Sequence, residues 1–397
     1  MKNKKVVIWG IDDYNVLGLC RQFGNSEFDL TFVVYRGTTN CATSSKFCKK
    51  YIVAPTIEDG YNYLMTNFTN ETEKVVLINS NDLLAEFIDE HKSEFERFFT
   101  ITGTNKPGSI KEYNNKHTMG ILAKEIGFKV PYTMVCKWDS NISNVIYPCI
   151  LKPTHQTLGR YNEFKFKICR KASELKNTLN FVRHDSEFLL QEYIPKEKDI
   201  LVYGARMKDG RVCLAGALVR DRFCGTGESS HGVVTANIPS CVNIQHIEKF
   251  LSIVDYYGLF SVEYGLYKEQ AYFFEVNFRN DGTSHFFYQS GANIPLAWAY
   301  SSLGLDYTSI PTSVQGDHFY MDELYDIQNV KEGKISKSDW EKERAEVTIF
   351  KYYDKDDLVP YEMMKKIKRR RMIIGSLVSK YRIYIVWLMD KIGLKRK

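Results

Sequence analysis

Two acidic side chains and one amide in residues 259–279 have a spacing that suits a metal ion. The segment reads LFSVEYGLYKEQAYFFEVNFR, and each half alternates polar with apolar residues, which predicts two β-strands. If the halves form a hairpin that turns at residues 268–270, Glu263 faces Glu275, with Cβ atoms about 5 Å apart. Asn277 follows on the same face. The apolar residues occupy the opposite face: Phe260, Val262, Tyr264, Phe274, Val276 and Phe278.

The charge of these carboxylates limits what the site can be. Two carboxylates this close repel each other, so a shared proton, a basic side chain or a cation must compensate them. Two carboxylates and an amide oxygen are hard ligands, which suit Mg²⁺ or Mn²⁺ at nucleotide phosphates. Arg279 continues the row and can neutralise a transferring phosphoryl group. The alternative is a solvated hairpin face with incidental acids, and periodicity alone does not decide between them.

The elements that must position these residues form two kinds of sheet. In the first hundred residues, the apolar runs KVVIWG, LTFVVY, KVVLIN and FFTITG alternate with helical stretches, which predicts a parallel sheet with helices on both faces. A helix over 116–126 follows and is ended by Gly127 and Pro131. Beyond it strands and helices mix, which predicts α+β units. The predicted domains are 1–112, 113–195, 196–310, a C-terminal extension over 311–362 and a basic tail over 363–397.

The pattern Glu-x11-Glu-x-Asn-x-Arg, which ends in FFEVNFR, resembles the metal-binding strand pair of the ATP-grasp superfamily. The resemblance spans about residues 4–305, and the nearest subgroup is that of carbamoyl-phosphate synthase large-subunit domains and D-aspartate ligase-like proteins. It implies an α/β and α+β fold: an N-terminal pre-ATP-grasp parallel-sheet domain followed by a two-subdomain ATP-grasp module. It also implies that Glu263, Glu275 and Asn277 hold Mg²⁺ at the ATP phosphates. Arg279 would contact phosphate or an acyl-phosphate intermediate.

Upstream motifs resemble the same family in the same order. Lys116 in NNKHTMGILAKEIGFKVP resembles the lysine of an Asp-Lys helix start, although Asn115 replaces the acid, and Lys152 in CILKP matches the second lysine that binds ATP. FLLQEYIP resembles the hinge whose backbone binds adenine, and Asp199 falls where the family has an acid on the ribose hydroxyls. The resemblance implies catalytic roles for Lys152 and Arg279. The implied ATP-binding residues are Lys116, Lys152, Gln191, Glu192, Tyr193, Ile194 and Asp199.

The loop after Lys152 departs from the family pattern. Its sequence, THQTLGRYNEF, contains one glycine, where the family often has several that let backbone N–H groups approach the phosphates. His155, Gln156 and Thr157 are the side chains that can substitute for those contacts.

Three arginines lie between the adenine and metal strands, in the region that borders the acceptor pocket of the family. Arg206, Arg220 and Arg222, with the loop 223–231, suit a carboxylate substrate through bidentate pairing. The alternative is surface charge beside a flexible turn, and the sequence does not choose between them. His285 follows the metal strand, and a core or surface histidine is favoured over a general base.

Charge and cysteine content limit the classes of function. Residues 365–397 contain twelve Lys or Arg and one acid, a net charge of +11, whereas the rest of the chain has 42 basic and 47 acidic residues, a net charge of −5. No nucleic acid partner is therefore expected for the body of the protein. Nine cysteines without a CxxC pair indicate buried, reduced thiols and a cytoplasmic location. The start, MKNKKVVIWGIDD, does not resemble a secretion signal.

The basic tail has an amphipathic pattern. At helical spacing, one apolar stripe contains Ile374, Leu377, Val378, Tyr381, Ile385 and Leu388. Lys380 and Arg382 are too central for a membrane span, so the pattern favours a helix that lies on an anionic bilayer, at the inner face of the plasma membrane. The alternative is a C-terminal helix packed on the body with a solvated basic rim.

The reaction class that the resemblance implies is carboxylate activation. ATP phosphorylates a carboxylate, an amine attacks the acyl phosphate and an amide forms, so the expected partners are ATP, Mg²⁺ and small carboxylate and amine substrates. By analogy, the basic tail indicates that a cell-envelope or capsular precursor is a substrate. For the assembly of the protein, we also consider a homodimer. The alternatives are an ATP-grasp carboxylase or phosphotransferase and a non-catalytic nucleotide-binding protein.

Overall fold

The computed structural model describes residues 4–154, 166–180, 182, 185–224 and 228–372. Within them the chain forms an N-terminal parallel sheet, a small antiparallel sheet and a large, mostly antiparallel sheet. The predicted α/β and α+β fold class is therefore confirmed. All nine cysteines are free thiols, and seven of them are buried.

The N-terminal sheet contains the four predicted strands and one more. Its strands are β1 (Lys4–Gly10), β2 (Phe28–Tyr35), β3 (Tyr51–Ala54), β4 (Val75–Asn79) and β5 (Phe99–Ile101), and a two-residue strand, β6 (Gly103–Thr104), leaves it. The five lie parallel in the order β3-β2-β1-β4-β5. The accompanying helices are α1 (Tyr14–Gly24), α2 (Ile57–Asn67), α3 (Asp82–Glu90) and α4 (Lys92–Phe95). Strand β3 was not predicted because it lies at the edge and is partly exposed, so it lacks a long apolar run.

A crevice lies at the carboxyl edge of this sheet. Strand β2 lies on one side of β1 in the sheet, and β4 lies on the other side. The strand order therefore reverses direction at β1, and such a switch point opens a crevice beyond the carboxyl ends of the strands. Residues 11–13 follow β1, and residues 80–81 follow β4. A Cβ atom at Gly10 would lie 2.0 Å from Ser80 Oγ, so glycine is required for the two loops to approach this closely.

The small sheet, called the lid below, lies within the predicted range 113–195. Helices α5 (Ser109–Asn114) and α6 (Lys116–Ile126) lead into it, and α6 has the predicted bounds. The strands are β7 (Thr133–Cys136), β8 (Cys149–Pro153), β9 (Lys167–Cys169) and β10 (Phe188–Glu192), with helix α7 (Ala172–Leu179). They pair antiparallel in the order β7-β10-β8-β9 around a core that includes Leu151 and Leu190.

The large sheet carries the predicted metal strands. Its strands are β11 (Lys198–Arg206), β12 (Val212–Phe223), β13 (Ser229–Thr235), β14 (Tyr256–Tyr267), β15 (Gln270–Asn277), β16 (Asp317–Met321) and β17 (Ile349–Phe350). The order is β15-β14-β11-β12-β13-β16-β17, with β6 also paired to β14. The predicted loop 223–231 is partly strand, since β13 begins at Ser229.

Helices cover both faces of the large sheet. Apolar residues of α6 and of α8 (Ile244–Val254) form a core with one face, and those of α1 and α10 (Ile294–Ser302) form a core with the other face. A short helix, α9 (Ser284–Gln289), contributes to the second core. Because strand side chains alternate, Val202 packs in the first core and Leu201 in the second. The sheet is thus held between the lead-in helices and the N-terminal domain.

The C-terminal extension packs against the N-terminal domain. Helices α11 (Ile327–Lys331) and α12 (Lys337–Glu346) follow β16, and Tyr320 and Tyr352 share a core with α1. Residues 358–372 are helical, with Tyr361 and Met364 packed against that core. The start of the basic tail is therefore attached to the body, and the predicted stripe over 374–388 lies outside the described residues. In the described part of the chain, no helix combines the length and apolar character needed to cross a bilayer.

Candidate active site

The two acids face each other as predicted, but through a different turn. Glu263 on β14 is the direct partner of Glu275 on β15, and Ser261 is the partner of Asn277. The turn has two residues, 268–269, both at positive φ, and not the predicted three. The opposed carboxylates thus lie on neighbouring strands of the large sheet.

A β-bulge restores the register that the shorter turn would have shifted. Tyr264 pairs with Phe273 whereas Glu263 pairs with Glu275, so Phe274 is the extra residue. The prediction that Phe274 faces the core is therefore wrong: Phe273 is 2% exposed, and Phe274 is half-buried. The predicted carboxylate pair forms because the missing turn residue and the additional bulge residue offset each other.

Basic side chains compensate both carboxylates. Lys116 Nζ donates to Glu275 Oε2, and Arg220 Nη2 donates to Glu263 Oε2 at 2.8 Å. The charge of Lys116 lowers the pKa of Glu275 to about 2, whereas burial, opposed by Arg220, raises the pKa of Glu263 above its ordinary value. Burial alone would lower the pKa of Lys116, but Glu275 raises it. The sequence left open whether a shared proton, a basic side chain or a cation compensates the two carboxylates. In the structure, basic side chains do so.

Asn115 positions Lys116 at the start of α6. The Asn115 side chain accepts hydrogen bonds from His117 N at 2.9 Å and Thr118 N at 3.3 Å, which makes it the N-cap of the helix. The replacement of the family's Asp by Asn therefore preserves the cap, since both side chains present an acceptor oxygen.

Lys152 on β8 is held across three strands of the lid. Its Nζ donates to Gln191 Oε1 at 2.9 Å, and Gln191 Nε2 donates to Thr133 Oγ1 at 2.8 Å. Burial and the nearby charge of Lys116 lower the pKa of Lys152 to about 8. Lys152 is therefore a cation at neutral pH that loses its proton under mildly alkaline conditions.

This pKa predicts how ATP binding depends on pH. Below a pH of about 8 the protonated Lys152 attracts phosphate, and above it the neutral amine does not, so affinity should fall as the pH rises. Titration calorimetry should show the fall in the wild type and a flat profile in Lys152→Arg, which stays charged. Lys152→Ala should bind ATP about tenfold more weakly at neutral pH. Equal affinity of Lys152→Ala and the wild type would show that Lys152 does not contact ATP.

The predicted adenine hinge, residues 191–194, includes the last two residues of β10. Glu192 N donates to Tyr132 O at 2.8 Å, and Tyr193 N donates to Pro148 O at 2.9 Å, so two backbone N–H groups hold this segment to the lid. Ile194 is buried beyond them. The structure thus brings the hinge residues to the same subdomain as Lys152.

Asp199 presents an acceptor that suits a ligand hydroxyl. It is buried, and its Oδ2 accepts from Lys196 Nζ at 2.6 Å. Its Oδ1 is buried without a hydrogen-bond partner among the described residues. A buried polar atom normally has a partner, so this oxygen fits the predicted contact with a ribose hydroxyl.

Arg279 connects the metal strand to the crevice of the N-terminal domain. Its Nε donates to Asp82 Oδ1 at 2.5 Å, and its Nη2 donates to Asn277 Oδ1 at 3.3 Å. Asn280 Nδ2 donates to Asn15 Oδ1 at 2.6 Å, which ties the end of β15 to α1. Sequence reasoning did not assign Asn15 or Asp82 to the site, although each closely follows a strand of the parallel sheet.

Only one of the three predicted acceptor arginines lies at the carboxylate pair. Arg220 binds Glu263, as described above. On β11 the direct strand partner of Glu263 is Leu201. Arg206 lies five residues further along that strand, roughly 17 Å away, and donates to backbone carbonyls. Arg222 binds Asp326 at 2.8 and 2.9 Å. The structure therefore gives Arg206 and Arg222 structural partners outside a shared pocket.

The remaining predicted residues lie in the core or outside the described residues. His285 is buried, and its Nε2 lies 3.3 Å from Arg21 Nη1. Burial and the charge of Arg21 hold its pKa well below the ordinary value, which matches the core histidine that the sequence favoured. His155, Gln156 and Thr157 are not among the described residues.

The donor set at the carboxylate pair fits a magnesium ion by its chemistry. Glu263, Glu275 and Asn277 supply carboxylate and amide oxygens on neighbouring strands, and Mg²⁺ takes its other ligands from phosphate and water. The described residues contain no group of three or more His, Cys, Asp or Glu side chains that could hold a metal ion. Any metal at this site therefore depends on the Asn277 amide and on the substrate.

Sequence comparison finds one distant relative over most of the chain. A D-aspartate ligase of Enterococcus faecium is 22% identical over 314 residues, which cover 71% of this chain and 73% of that protein. No protein-family model matches the chain.

Solved structures share the fold at low sequence identity. N5-carboxyaminoimidazole synthetase from Staphylococcus aureus, complexed with ADP, superposes with a TM-score of 0.64 at 13% identity over 86% of each chain. An L-amino acid ligase from Bacillus licheniformis superposes with a TM-score of 0.56 at 12% identity, over 76% of this chain and 75% of that chain. The predicted resemblance to the ATP-grasp superfamily is thus confirmed at the level of the fold, and the enzyme class stays a prediction.

Proposed function

We propose that this chain is an ATP-dependent carboxylate–amine ligase that forms an amide through an acyl phosphate. The observation that carries the proposal is the row of Glu263, Glu275, Asn277 and Arg279, which runs from the lysines of the ATP cleft to the N-terminal crevice. The row suits transfer of a phosphoryl group to a carboxylate that enters from the crevice.

The side chains supply positioning and electrostatics. Lys116 and Lys152 would bind the phosphates, and Arg279 would stabilise charge on the transferring group and on the acyl phosphate. Glu263, Glu275 and Asn277 would hold Mg²⁺, which would neutralise negative charge on the phosphates. No side chain needs to act as a covalent nucleophile, because the substrate carboxylate and amine provide both attacking atoms.

The substrates are proposed from the relatives and from chemistry. The relative named D-aspartate ligase and the L-amino acid ligase structure favour an amino acid as one substrate, whereas the carboxyaminoimidazole synthetase structure keeps carboxylation as the second candidate. The complete set of Lys152, Glu263, Glu275 and Arg279 argues against a non-catalytic nucleotide-binding protein.

ADP release with a substrate panel tests the proposal. Purified protein with Mg²⁺ and ATP would be given amino acids, beginning with D-aspartate, and sugar-acid precursors, singly and in pairs. A ligase should release ADP only when a carboxylate and an amine are both present, with an amide as product. Bicarbonate-dependent ADP release without formation of an amide would support the carboxylase. A phosphorylated product without an amine would support the phosphotransferase.

We also propose that the basic tail brings the ligase to an anionic membrane surface, where an envelope or capsular precursor would be a substrate. Lys365, Lys366 and residues 369–371 are exposed on the helix that Tyr361 and Met364 attach to the body. The attached helix presents its cations to solvent, which is what a polybasic membrane contact requires.

Vesicle co-sedimentation checks this attachment. Each cation near an anionic surface contributes about 1 kcal/mol, so full-length protein should sediment with phosphatidylserine vesicles at low salt and be released as salt rises. Truncation after Met364 should abolish sedimentation but preserve ATP binding, since every proposed ATP contact precedes residue 280. Neutral vesicles serve as the control. Equal sedimentation of the truncated and full-length proteins would contradict the proposal.

A further inference from the structure

The candidate metal ligands are already bound by cations of the protein itself. Lys116 binds Glu275, and Arg220 Nη2 lies 2.8 Å from Glu263 Oε2. The amide oxygen of Asn277 accepts from a third basic side chain, Arg279, at 3.3 Å. Each of the two carboxylates is thus paired with a cation of the protein, which a free divalent ion would have to displace.

These ion pairs are shielded from solvent. The exposed fractions of the side chains are 20% for Lys116 and 26% for Glu275 in one pair, and 12% for Arg220 and 24% for Glu263 in the other. Partly buried charges are screened less by water and salt than surface charges, so displacing such a cation costs more than at an exposed pair.

We propose that Lys116 and Arg220 are internal counter-cations that exclude free divalent ions until nucleotide arrives, so that metal and nucleotide bind together. The inference rests on the proposed metal site. A divalent ion alone would have to displace both cations from their carboxylates, and it offers Lys116 no new partner. ATP changes this balance because its phosphates provide Lys116 with another anionic partner.

Arg220 has an alternative partner within the protein. Asp199 Oδ2 lies 3.8 Å from Arg220 Nη2, and Asp199 and Arg220 are direct cross-strand neighbours on β11 and β12. Asp199 is also the residue that we propose for the ribose hydroxyls. Arg220 therefore lies between the proposed nucleotide and metal contacts, which makes it a positioning residue for the metal site.

Binding of Mn²⁺ without nucleotide tests the proposal. Free Mn²⁺ would be measured by electron paramagnetic resonance in titrations of the full chain. The wild type should bind Mn²⁺ weakly, Arg220→Met should bind it at least about tenfold more tightly because one carboxylate is released, and Arg220→Lys should resemble the wild type. Arg222→Met is a matched control on the same strand, since Arg222 pairs with Asp326 away from the site.

A non-hydrolysable ATP analogue completes the experiment. With it, the wild type should bind Mn²⁺ tightly and its difference from Arg220→Met should shrink. Lys116→Met provides a second variant for the analogue-free titration, should Arg220→Met fail to fold. Mn²⁺ affinity that neither folded variant increases would overturn the proposal. Equal Mn²⁺ binding by Glu275→Gln and the wild type in the presence of the analogue would instead show that the metal assignment itself is wrong.

Discussion

Replacing Glu275 by Gln should abolish metal-dependent ATP turnover and leave the fold intact. The substitution keeps the shape of the side chain but removes an anionic ligand and the partner of Lys116. Loss of a group that stabilises transition-state charge typically lowers kcat by a factor on the order of 10²–10³. ADP release at saturating Mg²⁺ measures the loss, and circular dichroism confirms the fold.

An acid of the same hairpin provides the control for this variant. Glu269 lies in the two-residue turn, is exposed, and is not one of the opposed carboxylates. Glu269→Gln should therefore retain wild-type turnover. If Glu275→Gln also turned over ATP at the wild-type rate, Glu275 would serve only as the partner of Lys116 and the metal assignment would be wrong.

Replacing Asp357 by Ala should destabilise the folded protein by about 3–5 kcal/mol, because it leaves the guanidinium of Arg21 buried without its counter-ion. Both side chains are 1% exposed, with Arg21 Nε 3.0 Å from Asp357 Oδ2. Ser45 Oγ also donates to this carboxylate, at 2.7 Å. The cluster joins the C-terminal extension to the N-terminal domain, so its loss should be seen as a lower free energy of unfolding in urea.

Asp354, a second acid near Arg21, provides a control, because replacing it also removes one negative charge but leaves the buried ion pair with Asp357 in place. Asp354 lies 3.9 Å from Arg21 Nε, and its side chain is 26% exposed. Such a long and partly solvated pair contributes at most about 1 kcal/mol, so Asp354→Ala should be nearly neutral. Similar unfolding free energies for Asp354→Ala and Asp357→Ala would contradict a buried structural ion pair.

Local patterns in the sequence determined most of the elements. Helix α6 has its predicted bounds partly because its end signals, Gly127 and Pro131, lie close to it in the chain. The strands of the N-terminal sheet follow from continuous apolar runs, and the two strands of the hairpin follow from period-two alternation. Each of these features depends on residues close in sequence, so periodicity and capping were sufficient to predict them.

The tertiary structure alone decided the details of the hairpin. Alternation indicates which face a strand residue occupies, but it does not count turn residues or locate a bulge. The shorter turn at 268–269 and the bulge at Phe274 therefore could not be predicted, although the pairing of Glu263 with Glu275 was.

The partners of the site residues were likewise decided by the tertiary structure. Arg220 is 43 residues from Glu263 in sequence, Asp82 is 197 residues from Arg279, and the structural pair of Arg21 and Asp357 is separated by 336 residues. No local pattern encodes such pairs, because they exist only when distant elements pack together. The sequence therefore predicted which side chains have suitable chemistry. Packing decided which of them meet, since one charge comes to lie beside another only when distant strands pair in a sheet or separate domains pack together.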